Sequence, residues 1–212
     1  MRYPTVRPAV TLLLVLLVST AGPAAGERTD AMNEASEAGT TAVAIFAGGC
    51  FWCTEADFEK LDGVVEAVSG YTGGRTENPT YDEVCAGGTG HYEAVRVVFD
   101  PSRVSYAELL DHFWRHVDPT DPGGQFVDRG EQYRPAVFYT DEGQKRIAEA
   151  SRAALDESGR FDRPVVAGIL PAGPFYPAEE YHQGYYRRCP IRYEMYRKGS
   201  GRDRFLEEHG GD

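Results

Sequence analysis

Two cysteines separated by two residues are the strongest sign of chemistry in this chain. Cys50 and Cys53 enclose Phe51 and Trp52, and they directly follow the glycine pair at 48–49. A thiol attacks only as its thiolate, which a helix N-terminus favours through its free N–H groups and partial positive charge. Two large aromatic side chains beside a nucleophile favour an apolar substrate group. The segment predicts a nucleophilic Cys50 at the start of a helix.

These cysteines have two other interpretations, a buried structural residue and a zinc ligand. A single cysteine after a strand is more often a small buried hydrophobic residue, but C-x-x-C spacing indicates thiol redox chemistry or zinc. A zinc site needs a second Cys or His pair at similar spacing. Here Cys85 and Cys189 stand alone, and His91 and His182 have no ligand partner three or four residues further on. We therefore expect no metal and no organic cofactor, and we interpret both histidines as structural.

A strand and a helix are predicted on either side of Cys50. Residues 42–47 form a short apolar run that two glycines end, as is typical of a buried strand. After Cys50, apolar residues recur at helical spacing until Gly63. The pattern gives strand, glycine turn and helix, with both cysteines in the first helical turn.

The remaining patterns give the order βαββαβ, followed by a further αβ unit. Strands are predicted at 64–71, 91–99, 135–140 and 164–170, and helices at 105–117 and 141–158. This order predicts an α+β fold, a ferredoxin-like split βαβ two-layer sandwich. The stretches 72–90 and 118–134 are predicted as long loops, which tend to be functional. A C-terminal tail from residue 171 is expected to wrap the core with one short helix near 178–187.

The first forty residues differ in composition from the rest. Arg2 and Arg7 precede a short apolar run at 9–21, and small residues follow it. This is typical of a cleaved secretory signal, predicted at 1–26, because the run is too short for a membrane-spanning helix; an uncleaved anchor is the alternative. Residues 27–40 are predicted to be a flexible acidic linker, and residues 41–212 the folded domain. We expect an exported protein, periplasmic or otherwise outside the cytoplasm.

The charge and the cysteine count narrow the function further. The net charge of -11 argues against nucleic-acid binding, which needs clustered Lys and Arg. Four cysteines in an exported chain are compatible with two structural disulfides, but a domain of this size does not need them. Cys50 and Cys53 are also too close in sequence to connect distant elements. We expect a monomer.

Six short motifs follow one another between residues 47 and 183. They are AGGCFW at 47–52, GYTGG at 70–74, NPTY at 78–81, GHYEAV at 90–95, GEQYR at 130–134, and PFYPAE at 174–179 with YHQ at 181–183. Together they resemble the A-type peptide methionine sulfoxide reductases, the MsrA family. The resemblance runs from about residue 42 to beyond residue 185.

The resemblance implies a reaction and roles for its residues. Cys50 is expected to attack the sulfur of methionine sulfoxide, in proteins or free, with preference for the S epimer. Glu93 is expected to donate a proton to the sulfoxide oxygen, and Tyr81 and Tyr133 to donate hydrogen bonds to it. Without the motifs, the tyrosines would be packing residues and Glu93 an ordinary exposed carboxylate.

The resemblance also implies a substrate pocket. Phe51 and Trp52 are expected to hold the S-methyl group. Asp128 is expected to orient the substrate backbone or a water molecule.

Attack would leave a sulfenic acid on Cys50, which a second thiol must resolve. Many family members have glycine at the position of Cys53 and resolve through a cysteine near the C-terminus. Here Cys53 is the first candidate and Cys189 the second, and Cys85 is interpreted as structural. The expected partners are oxidised proteins or peptides and a thioredoxin-like reductant. Because an oxidising compartment does not regenerate dithiols by itself, a membrane-linked or periplasmic reductant is predicted.

Two other functions would each explain part of this pattern. A thiol-disulfide oxidoreductase built on Cys50 and Cys53 would explain the C-x-x-C pair but not Glu93, Tyr81 and Tyr133. A non-enzymatic redox or metal-binding module would leave the aromatic residues unexplained.

Overall fold

A computed structural model describes residues 40–209 of the chain. The predicted signal segment and all of the linker except residue 40 lie outside this range. The strands are β1 (Ala42–Ala47), β2 (Val64–Thr72), β3 (Tyr92–Phe99), β4 (Gly124–Gln125), β5 (Asp128–Arg129), β6 (Ala136–Tyr139), β7 (Gly168–Pro171) and β8 (Tyr176–Pro177). The helices are α1 (Phe51–Phe58), α2 (Tyr81–Ala86), α3 (Tyr106–Arg115), α4 (Glu142–Glu157), α5 (Tyr185–Arg188), α6 (Pro190–Ser200) and α7 (Arg202–His209).

The main sheet has six strands in the order β7-β6-β1-β3-β2-β8. Its centre, β6-β1-β3-β2, is antiparallel throughout, and β7 pairs with β6 in parallel. The four central strands, with α1 and α3 between them in sequence, form the split βαβ arrangement. The predicted α+β fold class is confirmed.

The two faces of the sheet carry different amounts of core. In β1, Phe46 faces the larger cluster, where it packs against Phe58 of α1 and Phe113 of α3 at ring-centroid distances of 4.7 and 5.1 Å. Its neighbour Ile45 faces a smaller cluster around Phe138. Alternate residues of a strand point to opposite faces, so the short apolar run of β1 is buried on both.

Three of the sequence predictions need correction, two for connecting regions and one for a strand. The stretch 72–90 contains α2, which Thr80 and Glu83 start with a reciprocal capping box. The stretch 118–134 contains the β4–β5 hairpin and a short 3-10 helix at Glu131–Tyr133. The strand predicted at 164–170 forms only at Gly168–Pro171.

The prediction of one short helix in the tail is also wrong. Within residues 176–209 the chain adds strand β8 to the sheet edge and then forms α5, α6 and α7. These helices are rich in charged residues and place few apolar residues in the core, so their sequence periodicity is weak. None of the helices described between residues 40 and 209 is long and apolar enough to cross a membrane.

Candidate active site

Cys50 lies between β1 and α1, at the N-cap of the helix. Its carbonyl oxygen accepts hydrogen bonds from the amides of Cys53 and Thr54 at 3.1 and 3.3 Å. The preceding Gly49 has φ +82°, and a Cβ atom there would lie 2.6 Å from Cβ of Gln125. Only glycine fits this turn, which brings the 7 % exposed Cys50 to the helix start that the sequence predicts.

The thiols of Cys50 and Cys53 are hydrogen-bonded to each other. Burial raises the pKa of Cys50 well above its usual value, and the neighbouring Cys53 raises it further. The hydrogen bond with Cys50 lowers the pKa of Cys53 to about 7, and the positive charges of Arg202 and Arg197 lower it as well. Proton transfer along the hydrogen bond can place the charge on either sulfur.

Glu93 is a buried carboxyl group beside this pair. It belongs to β3, is 2 % exposed, and its Oε2 accepts a hydrogen bond from the amide of Phe51 at 3.0 Å. Burial raises the pKa of Glu93 to about 8, although the Phe51 amide lowers it. The charges of Asp128 and Cys53 raise this pKa further. Glu93 therefore holds a proton at neutral pH, as a general acid must.

Two half-buried tyrosines complete the polar side of the site. Burial first, and then the charge of Glu93 among others, raises the pKa values of Tyr81 and Tyr133, so both stay protonated donors. Tyr81 is the first residue of α2, and its amide donates to Oε1 of Glu179 at 2.8 Å. The capping of α2 thus fixes the position of Tyr81.

The aromatic side of the site is built around Phe51 and Trp52. Phe51 is buried, and its ring lies 5.0 Å from that of His182. The indole Nε1 of Trp52 donates to Nδ1 of His182 at 3.0 Å, and the indole stacks on Tyr185 at 3.8 Å. Nδ1 of His182 accepts this hydrogen bond, and burial lowers the pKa of the imidazole. His182 has a structural role, as predicted, and that role is to hold Trp52.

Comparisons with known proteins show the family of this chain. Residues 42–212 match the family model of peptide methionine sulfoxide reductase. Peptide methionine sulfoxide reductase MsrA of Bacillus licheniformis is 56% identical over 169 residues, covering 80% of this chain and 93% of the relative. The chain belongs to the peptide methionine sulfoxide reductase family.

Further relatives agree with this assignment. MsrA of Bacillus subtilis is 55% identical, covering 80% of this chain and 96% of its own. The structure of methionine sulfoxide reductase A of Corynebacterium diphtheriae is 36% identical with a TM-score of 0.64, covering 71% of this chain and 76% of that one. Reduced Mxr1 of Saccharomyces cerevisiae is 30% identical with a TM-score of 0.67, covering 71% and 86%. The predicted family and enzyme class, a reductase of methionine sulfoxide, are confirmed.

Asp128 reaches the reductase site through a residue that the sequence did not single out. Oδ2 of Asp128 accepts a hydrogen bond from the hydroxyl of Tyr196 in α6, and this hydroxyl also hydrogen-bonds to Cys50. Burial raises the pKa of Asp128, and the Tyr196 hydroxyl lowers it. Tyr196 was missed because no helix was predicted there.

The four cysteines of this reductase occupy different positions relative to Cys50. Cys53 is fully buried and in hydrogen-bond contact with Cys50, whereas Cys189 is partly exposed at the start of α6. Cys85 lies in α2, where it hydrogen-bonds to both Tyr81 and Tyr133. The structure thus brings Cys53 to the nucleophile, and it brings Cys85 to the edge of the site. Between residues 40 and 209, no group of three or more His, Cys, Asp or Glu residues is arranged to hold a metal ion.

Glu179 and His182 are supporting residues that sequence reasoning left without a role in the site. Glu179 joins two elements, because its carboxylate accepts from the hydroxyl of Tyr71 at 2.9 Å and from the amide of Tyr81 at 2.8 Å. Both residues lie in the last motifs of the reductase pattern, which was the available signal.

Proposed function

We propose that this enzyme reduces the S epimer of methionine sulfoxide, in proteins, in peptides and as the free amino acid, through a sulfenic acid on Cys50. The observation that carries the proposal is the buried Glu93, whose oxygen lies 3.0 Å from the amide that follows Cys50 and whose pKa burial raises to about 8. The preference for the S epimer is taken from the family.

The first chemical step uses the residues around Cys50. The Cys50 thiolate attacks the substrate sulfur, and Glu93 protonates the sulfoxide oxygen while Tyr81 and Tyr133 donate hydrogen bonds to it. The oxygen passes from the substrate to Cys50, which becomes a sulfenic acid as methionine is released. Phe51 and Trp52 provide the apolar surface for the S-methyl group. Asp128 and Tyr196 are hydrogen-bonded to each other beside Cys50, where they can orient the substrate backbone.

The second step removes the oxygen from Cys50. The Cys53 thiolate attacks the sulfur of Cys50, the S–O bond breaks, and the oxygen leaves as water after taking up a proton. Cys53 is favoured over Cys189 because it already hydrogen-bonds to Cys50. A thioredoxin-like dithiol then reduces the disulfide by thiol-disulfide exchange. This cycle repairs proteins after oxidative damage.

The test is the reduction of the two separated epimers of a methionine sulfoxide peptide by the full chain with dithiothreitol. We expect conversion of the S epimer alone by the wild type and none by Cys50→Ser. Cys189→Ser is the matched control, because it also removes one thiol, and it should retain single-turnover conversion. Conversion of neither epimer by the wild type, combined with reduction of insulin disulfides, would favour the thiol-disulfide oxidoreductase instead.

We also propose that the chain is exported and that its signal segment, residues 1–26, is removed. The proposal is supported by Arg2 and Arg7 before the apolar run at 9–21 and by the small residues that follow. N-terminal sequencing of the protein from fractionated cells tests it. A cytoplasmic protein that keeps Met1 would contradict export, and a membrane-bound one with an intact N-terminus would indicate an anchor.

A further inference from the structure

Arg202 is a buried cation directly behind the nucleophile turn. Its side chain is 1 % exposed at the start of α7. Nη2 donates to the carbonyl oxygen of Gly48 at 2.8 Å, and Nη1 donates to that of His116 at 2.6 Å. The guanidinium lies 4.7 Å from the ring centroid of Phe126. These contacts hold the positive charge against the turn that carries Cys50.

The charge of Arg202 has no carboxylate partner in the part of the chain that the structure describes. The nearby Arg197 provides the contrast, because it forms ion pairs with Asp57 and Asp203, both at 2.7 Å. Carbonyl oxygens satisfy the N–H groups of Arg202 but do not neutralise it. A buried charge without a counter-charge is costly, so some other anion should balance it.

Two anionic groups are available on this side of the site. The charge of Arg202 lowers the pKa of Asp128, but the Asp128 carboxylate already accepts a hydrogen bond from Tyr196. The other group is the Cys50–Cys53 pair, where the charges of Arg202 and Arg197 favour a thiolate. Because Asp57 and Asp203 offset Arg197, Arg202 contributes the uncompensated positive charge.

We propose that Arg202 is a positioning residue whose unpaired buried charge keeps the Cys50–Cys53 pair singly ionised, so that one negative charge serves both attack and resolution. The inference rests on the proposed function and extends it. With the charge on Cys50, the thiolate attacks the sulfoxide. The attack leaves Glu93 ionised, because its proton has gone to the oxygen, and Glu93 then takes up the proton of Cys53, so that the charge resides on Cys53. The Cys53 thiolate attacks the sulfur of Cys50, the S–O bond breaks, and the oxygen leaves as water with a proton from Glu93.

Other groups face the same pair and set the background for its titration. They are Asp57 on α1, Glu93 on β3, and Tyr193, Tyr196 and Arg197 on α6. Glu93 is uncharged at neutral pH and the tyrosines stay protonated, so they add no charge to the site there. Replacement of Arg202 should therefore shift the thiol titration measurably, because Glu93 and the tyrosines add no charge of their own there.

The experiment follows the ultraviolet absorbance of thiolate against pH in a chain that carries Cys85→Ser and Cys189→Ser. In this parent, only Cys50 and Cys53 titrate, and we expect one of them to ionise near the pKa of about 7 of Cys53. Arg202→Gln should raise this midpoint by roughly one pH unit or more. Arg202→Lys should keep it, because it keeps the charge. Arg204→Gln, which changes an exposed arginine of the same helix, is the matched control and should have no effect.

A kinetic readout separates this role from a purely structural one. After one equivalent of sulfoxide at neutral pH, disulfide formation should be about tenfold slower in Arg202→Gln and should recover as the pH rises. A folded Arg202→Gln chain with an unchanged midpoint would overturn the inference. If that variant does not fold, a folded Arg202→Lys chain with a raised midpoint would do the same. So would a parent whose two thiols both titrate near the ordinary cysteine value. None of these titration results depends on methionine formation by the wild type, whose failure would instead overturn the proposed function.

Discussion

The active site joins two regions of very different character. Glu93 and Cys50 come from the central sheet and the turn that leaves it, where alternating apolar residues and a glycine turn set their places. Tyr196, Arg197 and Arg202 come from the C-terminal helices α6 and α7, which are mostly polar. The sheet region supplies the reacting groups, whereas the C-terminal helices supply charges and hydrogen bonds around them. The reacting groups and their electrostatic support therefore reside in separate parts of the chain.

The largest effect should come from the sheet region, at Glu93. Glu93→Gln removes the proton donor and should lower the single-turnover rate by on the order of 10²- to 10⁴-fold. The wild-type rate should fall as pH rises through the pKa of about 8, because Glu93 then loses its proton. Glu93→Gln should lack this alkaline decline, measured as rate against pH. Glu66→Gln, on an exposed part of β2, is the control, and a full rate in Glu93→Gln would contradict the role of the acid.

The next effect concerns Cys53, which belongs to α1 but is covered by Tyr193 of α6. Cys53→Ser should form one methionine per chain and then stop with a thioredoxin donor, because the sulfenic acid has no nearby thiol to resolve it. Cys189→Ser should keep full multi-turnover activity. Equal multi-turnover rates for Cys53→Ser and the wild type would remove Cys53 from the resolving role and point to Cys189.

A smaller effect is expected in the C-terminal helices, at Tyr196. Tyr196→Phe keeps the ring against Trp52 but removes the hydroxyl that bonds to Asp128 and Cys50. Loss of these hydrogen bonds should lower kcat/KM roughly tenfold, with little change in thermal stability. An unchanged kcat/KM would show that the hydrogen bonds of the Tyr196 hydroxyl do not support catalysis.

The smallest change concerns stability and separates the nucleophile turn from an open loop. Gly49→Ala should destabilise the fold by about 1–3 kcal/mol, because φ is +82° and the new Cβ would meet Gln125. Gly87→Ala has a similar φ of +80° but meets no atom within 4 Å, so it should cost less, because only the backbone strain remains. Thermal or urea unfolding of both variants measures the difference, and equal losses would show that packing at Gly49 is not restrictive.

The sequence predicted the sheet region well and the C-terminal region poorly. The apolar run of β1, the glycine turn and the helical spacing after Cys50 depend on local periodicity, and all three appear in the structure. The alternation of β3 puts Glu93 on the same face as Val95 and Val97, which line the main core, although without the motifs Glu93 was interpreted as an exposed carboxylate. By contrast, α6 and α7 form through contacts with α1 and the turn at Gly48, which no local pattern reveals.

The sequence by itself determined the order of the main strands and helices up to residue 171, the place of Cys50 at a helix start, and the motifs that identify the family. Only the tertiary structure decided the charge state of the site. A pKa depends on burial and on charges that are distant in sequence, so the proton on Glu93 and the thiolate of the cysteine pair follow from folding. Arg202, 154 residues from the Gly48 carbonyl that it binds, shows why: its effect exists only once α7 packs behind the turn.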